Sequence, residues 1–422
     1  MSEQIRNWAG NVAFGPARIH HPASLDEVRR IVAGATAVRV LGTGHSFNKI
    51  VDTPGDLLVL DAMPTQVRID PDARTATVSA GIRLADLAAL LHAAGFAVAA
   101  LPSLPHISLA GACATGTHGS GDRNPGLAAM VRGLRLVEAD GGVADLTRGV
   151  SPDFDGSVVA LGALGVVTEL TVDIVPTFDV AQYVHQGVAL DTLIDRFEEV
   201  FSAGYSVSAF TDWRGDASVW VKSTTGSDAA SGAEPGWLGG LLAEHAAHPI
   251  PGMSAENSTE QLGIPGPWHE RLPHFRPDFT PSAGEELQSE FFVPRAQAAE
   301  ALNAVRELGS LIGPVVQISE VRTVAADELW LSPSYRRDSV TLHFTWVPDL
   351  AAVTPALAAI ERELSPLGAR PHWGKVFSGG PAAALAGYER AADFQALADR
   401  RDPGGKFRNA FVRRLFPVGA ED

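Results

Sequence analysis

Val38-Arg39-Val40-Leu41-Gly42-Thr43-Gly44-His45-Ser46-Phe47-Asn48 holds the turn on which the reading of this chain rests. Val38 to Leu41 is a β-favouring run that feeds directly into Gly-x-Gly. Glycines at Gly42 and Gly44 remove the Cβ that would keep backbone N–H groups away from a phosphate-bearing ligand. Gly-x-Gly on its own is common, and an ordinary tight turn is the competing reading. The segment is not the dinucleotide fingerprint: Phe47 stands where the third glycine belongs, and no strong βαβ unit follows.

Working outward, Ser24 to Val32 reads as a helix. Ser24 is its cap, Asp26 and Glu27 lie in its first turn, and Leu25, Val28, Ile31 and Val32 share a face. Leu57–Leu60, Thr75–Val78, Leu134–Val137 and Val166–Val175 read as strands. Leu84–Ala94 has a helical period that ends at Gly95. Interleaved helices and strands argue for α+β or α/β. The pattern changes at Val175-Pro176-Thr177, where a domain boundary is placed. Beyond it come a helix at Leu190–Phe201 and strands at Tyr205–Phe210 and Val219–Lys222. Residues 224–286 are then rich in Gly, Pro and Ser without periodicity, so they are either disordered or wrapped over something. Strands at Leu287–Val293, Val315–Val321 and Thr341–Val347 and helices at Arg295–Leu308 and Ala351–Leu364 complete a smaller α+β unit.

Composition narrows the function. The 422 residues are 45% hydrophobic and 19% charged, a globular balance. The net charge of −16, with no dense Lys/Arg block, disfavours nucleic acid and anionic membrane surfaces as partners. Cys113 is the single cysteine, which excludes an intrachain disulfide and a cysteine-rich metal site. Met1 to Trp8 shows no signal peptide, and no run of about 18 apolar residues is present. A cytoplasmic, monomeric protein is expected. Among the histidines, His269-Glu270-Arg271-Leu272-Pro273-His274 only approaches the zinc-protease pattern. Its second His is one residue too far along, and Pro273 would break the helix. His245 and His248 lack a third ligand, so no metal is expected.

Two further small-residue stretches stand out. Leu109-Ala110-Gly111-Ala112-Cys113-Ala114-Thr115-Gly116-Thr117-His118-Gly119-Ser120-Gly121 has four glycines, a backbone surface suited to a flat, phosphate-bearing cofactor. Leu161-Gly162-Ala163-Leu164-Gly165-Val166-Val167-Thr168 is the other. Each singly reads as a turn; three within one 180-residue unit favour a cofactor. His45 sharpens the reading, since an imidazole beside a flavin can add through nitrogen to the 8α position.

On these residues the chain resembles the flavin-binding domain of the vanillyl-alcohol-oxidase superfamily. His372-Trp373-Gly374-Lys375 and Asp402-Pro403-Gly404-Gly405-Lys406-Phe407-Arg408-Asn409 resemble signatures of sugar-lactone and alditol oxidases. Asn7–Asn11, Ser103–Ser108, Pro265–His274 and Glu320–Asp327 are similar to bacterial alditol oxidases in particular, so the likeness spans essentially the whole chain. It implies a two-domain α+β fold. Residues 1–180 would bind FAD, residues 181–376 would form an α+β substrate-binding cap, and a tail, 377–422, would return to the first domain. It implies FAD attached covalently through His45. The cofactor contacts would be Leu41, Gly42, Thr43, Gly44, His45, Ser46, Ser103, Ser108, Gly111, Thr115, Gly116, Thr117, His118, Gly119, Val167 and His372. Leu104 stands where some relatives carry a second, cysteine tether, so a single bond is expected, with Cys113 a buried filler. Pro102 stands where relatives govern oxygen access.

The same resemblance implies substrate contacts at Ser103, Glu320, Arg322, Thr345 and Lys375, a polyol as substrate and O2 as electron acceptor. The residues suit a polyol. Glu320 and Arg322, two apart on a strand, share a face, and His343 and Thr345 share one on the next. A carboxylate accepts from hydroxyls while guanidinium and ammonium donate to them. A plain salt bridge is the competing reading for Glu320 with Arg322, and a solvated surface lysine for Lys375. For the hydroxyl proton, Lys375 or His343 can act as base, with Arg322 stabilising negative charge. The implied activity is oxidation of a terminal primary alcohol of alditols such as xylitol or sorbitol to the aldose. The alternative is a sugar-lactone oxidase or dehydrogenase.

Overall fold

The computed structural model describes residues 5–226, 230–279 and 285–419. Parts of the Met1 to Trp8, 224–286 and tail readings fall on residues outside these ranges.

Ser24 caps the Leu25–Gly34 helix by accepting from the Glu27 backbone N–H, and Val28 and Val32 on its inner face are fully buried. Beside it, Arg18–His20, Asp56–Val59 and Val38–Leu41 form a parallel three-stranded sheet. A second sheet orders Val67–Asp70, Thr75–Ser79, Val166–Asp173, Val131–Val137 and Val143–Thr147, all antiparallel. Val166–Asp173 alternates buried and half-buried positions along its length, as period-2 patterning requires. One apolar core joins these elements to tail residues such as Phe394, Leu397, Phe407 and Val412. The tail is sewn down by the Asn409 amide, which donates to the carbonyls of Lys49, Ile50 and Asp52, and by the Lys406 carbonyl, which accepts from Val38 N–H.

The larger sheet has ten strands among the described residues. Its centre runs Asp179–Val188, Ala217–Thr224, Ser206–Thr211, Val316–Ala325, Ser339–Trp346 and Leu287–Pro294, with each neighbouring pair antiparallel. Alternation along these strands divides the sheet into two unlike faces. Val207, Ala209, Val219, Val221, Val321, Leu342, Phe344, Phe291 and Val293 point to a second core, against helices Ala298–Glu307 and Leu350–Leu364. The residues between them include Ser208, Lys222, Glu320, Arg322, His343, Thr345 and Glu290, which are buried but polar or charged. A charged face inside a protein needs internal partners, and these residues provide them for one another.

One local reading differs from the structure, one strand was not read, and one open alternative is resolved. The Leu190–Phe201 helix is two short helices, Leu190–Asp195 and Phe197–Phe201, because Arg196 leaves helical geometry at φ −110°. Asp179–Val188, a ten-residue strand, carries no clean alternation. Both its faces are covered: His185 bonds to the Gly232 carbonyl (2.9 Å) and Gln182 to that of Glu260 (3.2 Å). The 230–279 segment supplying that cover is ordered by such contacts and by Trp268, which is fully buried in the first core.

Candidate active site

A cavity of about 710 Å³ lies between the glycine turns and the polar face of the large sheet. The strand-to-turn reading positions its first wall. A Cβ on Gly42 would sit 2.3 Å from the Ser108 hydroxyl, and one on Gly111 would sit 2.9 Å from the same oxygen. Only glycine allows the two backbones to close on Ser108, whose N–H donates to Thr43 Oγ1 (3.2 Å). Gly44 turns the chain at φ +72° and presents His45. The imidazole stacks on Trp8 (centroids 5.0 Å, 16°), and neither ring nitrogen meets a hydrogen-bond partner among the described residues. Burial draws its pKa down to about 4, so the ring is neutral and has a lone pair to offer. The buried Arg39 guanidinium donates to the carbonyls of Ile50, Leu161, Gly162 and Phe407, clamping the third glycine segment beside this wall. A glycine cradle with an orphaned imidazole fits a flat, phosphate-bearing cofactor that bonds to His45.

Of the residues read from the sequence as cofactor contacts, Leu41, Gly42, Thr43, Gly44, His45, Ser46, Ser103, Ser108, Gly111, Thr115, Thr117, His118, Val167 and His372 line the cavity. Gly116 and Gly119 do not. Gly116 ends the Leu109–Thr115 helix at φ +76°, where a Cβ would lie 2.9 Å from Pro333. Gly119 backs onto the Leu101 carbonyl, 2.7 Å from where its Cβ would stand. Both are glycine for close packing behind the wall. Cys113 is buried, with its thiol pushed up to about 12 by desolvation.

The opposite wall brings Glu320, Arg322, His343, Thr345 and Lys375 together. Strand register does this: His343 lies directly across from Glu320 on one side and from Glu290 on the other. Arg322 Nε approaches Glu320 at 3.5 Å without making a hydrogen bond, so the two are an ion pair and also face the cavity. The sequence reading missed Glu290, which joins the site. Its Oε1 accepts from Arg322 Nη2 (2.7 Å) and faces His118 Nε2 (3.0 Å), while Oε2 accepts from Lys375 Nζ (2.8 Å). Lys375 reaches it because the Arg370–Pro371 strand pairs with Leu287–Pro294, and Val376 N–H donates to the Gln288 carbonyl. The available signal was a carboxylate two residues from Gln288 and Phe292, on the face opposite Phe291 and Val293. His274 was also passed over as a failed metal ligand. It donates to Glu320 Oε1 at 2.8 Å, and among the described residues no cluster of three or more His, Cys, Asp or Glu could hold a metal.

The charges settle as follows. Burial alone would raise the Glu290 carboxyl, but Lys375, His118 and Arg322 hold it well below the usual range. Burial would likewise raise Glu320, and Arg322, His274 and His343 keep it low. Desolvation lowers Lys375, with Glu290 opposing. Desolvation, then the charge of Lys375, takes His343 down to about 3. The wall therefore presents carboxylates that accept, cations that donate, and an imidazole held neutral.

A family model described as FAD binding domain matches residues 16–147, and one described as D-arabinono-1,4-lactone oxidase matches residues 285–415. Cholesterol oxidase from B. sterolicum superposes with a TM-score of 0.80 at 15% identity, over 98% of this chain and 96% of that one, a likeness of fold. Fold and site together define an FAD-dependent oxidoreductase of the vanillyl-alcohol-oxidase type. An L-gulono-1,4-lactone dehydrogenase from Mycobacterium tuberculosis is 28% identical over 98% of this chain and 99% of its own length. An alditol oxidase from a Streptomyces species is 50% identical over 420 residues, 98% of this chain and 99% of that protein. The chain belongs to the alditol oxidase family.

Proposed function

We propose that this protein oxidises a terminal primary alcohol of an alditol such as xylitol or sorbitol to the aldose, with FAD bonded to His45. In this reading residues 1–180 and 377–422 carry the cofactor, residues 181–376 carry the substrate, and the enzyme is a cytoplasmic monomer. The observation that supports it best is the buried row of Glu320, His343 and Glu290 with Arg322 and Lys375, facing the glycine-lined wall across one cavity. The chemistry supplied by bound FAD is removal of hydride from the carbinol carbon and delivery of the electron pair to O2 as hydrogen peroxide.

The chain's own residues bind and orient the polyol and manage its charge. Glu320 accepts from one hydroxyl, while Arg322 and Lys375 donate to others and Thr345 does either. Lys375, anchored to Glu290, holds its proton and stabilises negative charge on the reacting oxygen. His343, whose ring makes no hydrogen bond among the described residues, is a weak base at about 3 and so accepts the hydroxyl proton only as the carbinol C–H bond breaks.

Peroxide release with xylitol and none with an aldonolactone is the expected result. The reverse would assign the protein as a sugar-lactone oxidase, the reading that the lactone-oxidase match over residues 285–415 supports. Acid precipitation tests the tether: a yellow pellet is expected, and colour confined to the supernatant excludes a bond at His45.

A further inference from the structure

Lys222 is one of four lysines in the chain and lies 1% exposed on the Ala217–Thr224 strand. Its Nζ donates to the carbonyls of Leu272 and Pro273 (3.3 Å for the latter) and to His274 Nδ1 (3.2 Å). Those three acceptors match the three N–H bonds of an ammonium. On the far side of the ring, His274 Nε2 lies 2.8 Å from Glu320 Oε1 and 3.4 Å from Ser208 Oγ. The ring cannot swing away. Phe210 and Trp220 meet it edge-on (centroids 5.2 and 5.4 Å), and its backbone N–H donates to the Ser103 carbonyl (3.1 Å).

The directions in this chain of contacts are fixed by what each end can do. Burial draws Lys222 down to about 7; below that pH it is an ammonium, which only donates, so Nδ1 accepts. A carboxylate only accepts, so Nε2 must carry the hydrogen. A neutral donor such as an amide would stitch the 272–274 segment to the sheet equally well. It would carry no positive charge to keep a second proton off Nδ1. With the other tautomer, two lone pairs would face each other across 2.8 Å, and Glu320 would have to turn away or take up a proton.

We propose that Lys222 and His274 are positioning residues for the substrate site. Lys222 keeps His274 Nδ1 unprotonated, Glu320 keeps the ring's single hydrogen at Nε2, and that N–H holds the Glu320 carboxylate as an acceptor aimed at a substrate hydroxyl. The inference rests on the polyol reading above and adds a source of specificity. A carboxylate held this way welcomes a group that donates, a hydroxyl, and repels a carbonyl oxygen at the same place. Arg322 Nε faces the second oxygen of Glu320 at 3.5 Å, and Lys222 and Lys375 add positive charge nearby.

Two measurements on the holoenzyme test it. In protein labelled with ¹⁵N-histidine, His274 should give the neutral Nε2–H tautomer, and Lys222→Met, which removes the positive charge facing Nδ1, should let the ring take a second proton at higher pH than in the parent; an Nδ1–H ring in the parent enzyme, or an unchanged titration in the variant, overturns the proposal. In kinetics, Lys222→Met should lower kcat/KM for xylitol roughly tenfold, chiefly through KM, with flavin absorbance retained. His274→Gln offers an amide N–H to Glu320 that has no tautomer to fix. In that background Lys222→Met should change kcat/KM by less than about twofold, because the two residues act as one unit. Equal losses in both backgrounds would show Lys222 to be only a stitch. Should Lys222→Met fail to fold, Lys222→Gln keeps the stitch and takes its place in both measurements. Absence of xylitol turnover in the parent enzyme counts against the polyol reading, and the tautomer then decides the relay by itself.

Discussion

Glu290, 1% exposed, accepts from two cations and faces the ring of a third residue, His118. Removing its charge while keeping its shape, Glu290→Gln, leaves part-buried Lys375 without its carboxylate partner and buried Arg322 with Glu320 alone, 3.5 Å away. Such a break costs about 3 kcal/mol of stability, to be read from chemical denaturation. The charge of Glu290 is also what opposes the desolvation of Lys375, so the variant's lysine loses its proton at lower pH. The alkaline limb of the rate profile is therefore expected to move toward neutral pH. His343 makes a separate prediction. If it takes the hydroxyl proton, His343→Gln must rely on hydroxide. Stopped-flow flavin reduction should then climb about tenfold per pH unit, where the parent enzyme is nearly flat. A flat variant profile would return the base role to Lys375.

At the scale of elements, the glycine turn is where backbone and ligand chemistry meet. Gly42→Ala drives a Cβ to within 2.3 Å of Ser108 Oγ, against 3.4 Å from Ser108 Cβ. The variant is expected to purify with reduced flavin content, and adding Ser108→Ala should restore it, as measured by the ratio of visible to ultraviolet absorbance. Loss that persists in the double variant would mean the clash is with the turn itself. Elements also differ in how legible they were. Leu25–Gly34 could be read because cap, first-turn acids and period agree. Asp179–Val188 could not, since Gln182 and His185 are each fully buried on opposite faces and erase the alternation that marks a half-exposed strand. The Leu287–Pro294 strand was readable as a strand, yet Glu290 within it was not readable as part of the site. Its partners Arg322 and Lys375 lie 32 and 85 residues away in sequence.

Across the whole molecule, the buried polar face ties stability to pH. His274 and His343 are neutral when folded, with pKa values near 4 and 3 in place of 6.5. Between those values and 6.5 the unfolded chain binds more protons than the folded one, so stability falls as pH drops, by about 1.4 kcal/mol per unit for each ring. Asp327, pushed up to about 6 by burial, works the other way, because its folded form keeps a proton below that pH. His118, His248, His269 and His372 are drawn down as well, against Asp155, Glu286 and Asp402 drawn up, so the histidines leave a net loss. The melting temperature of the holoenzyme should decline from pH 6.5 to 4.5, with a shallower slope in His343→Gln. An identical slope in the variant would mean that His343 is charged in the folded protein.

The glycine turns, the capped helix at Leu25–Gly34, the strand that pairs Glu320 with Arg322 and the placing of His45 after its turn are properties of short segments. Local sterics and period set them, so sequence alone determined them. The union of Glu290 with Arg322 and Lys375, the Lys222–His274–Glu320 line, and the placing of Gly116 and Gly119 behind the wall were decided only by the tertiary structure. Each depends on strands and loops far apart in the chain being brought to hydrogen-bonding distance, and charge can be buried there only once its partners have arrived.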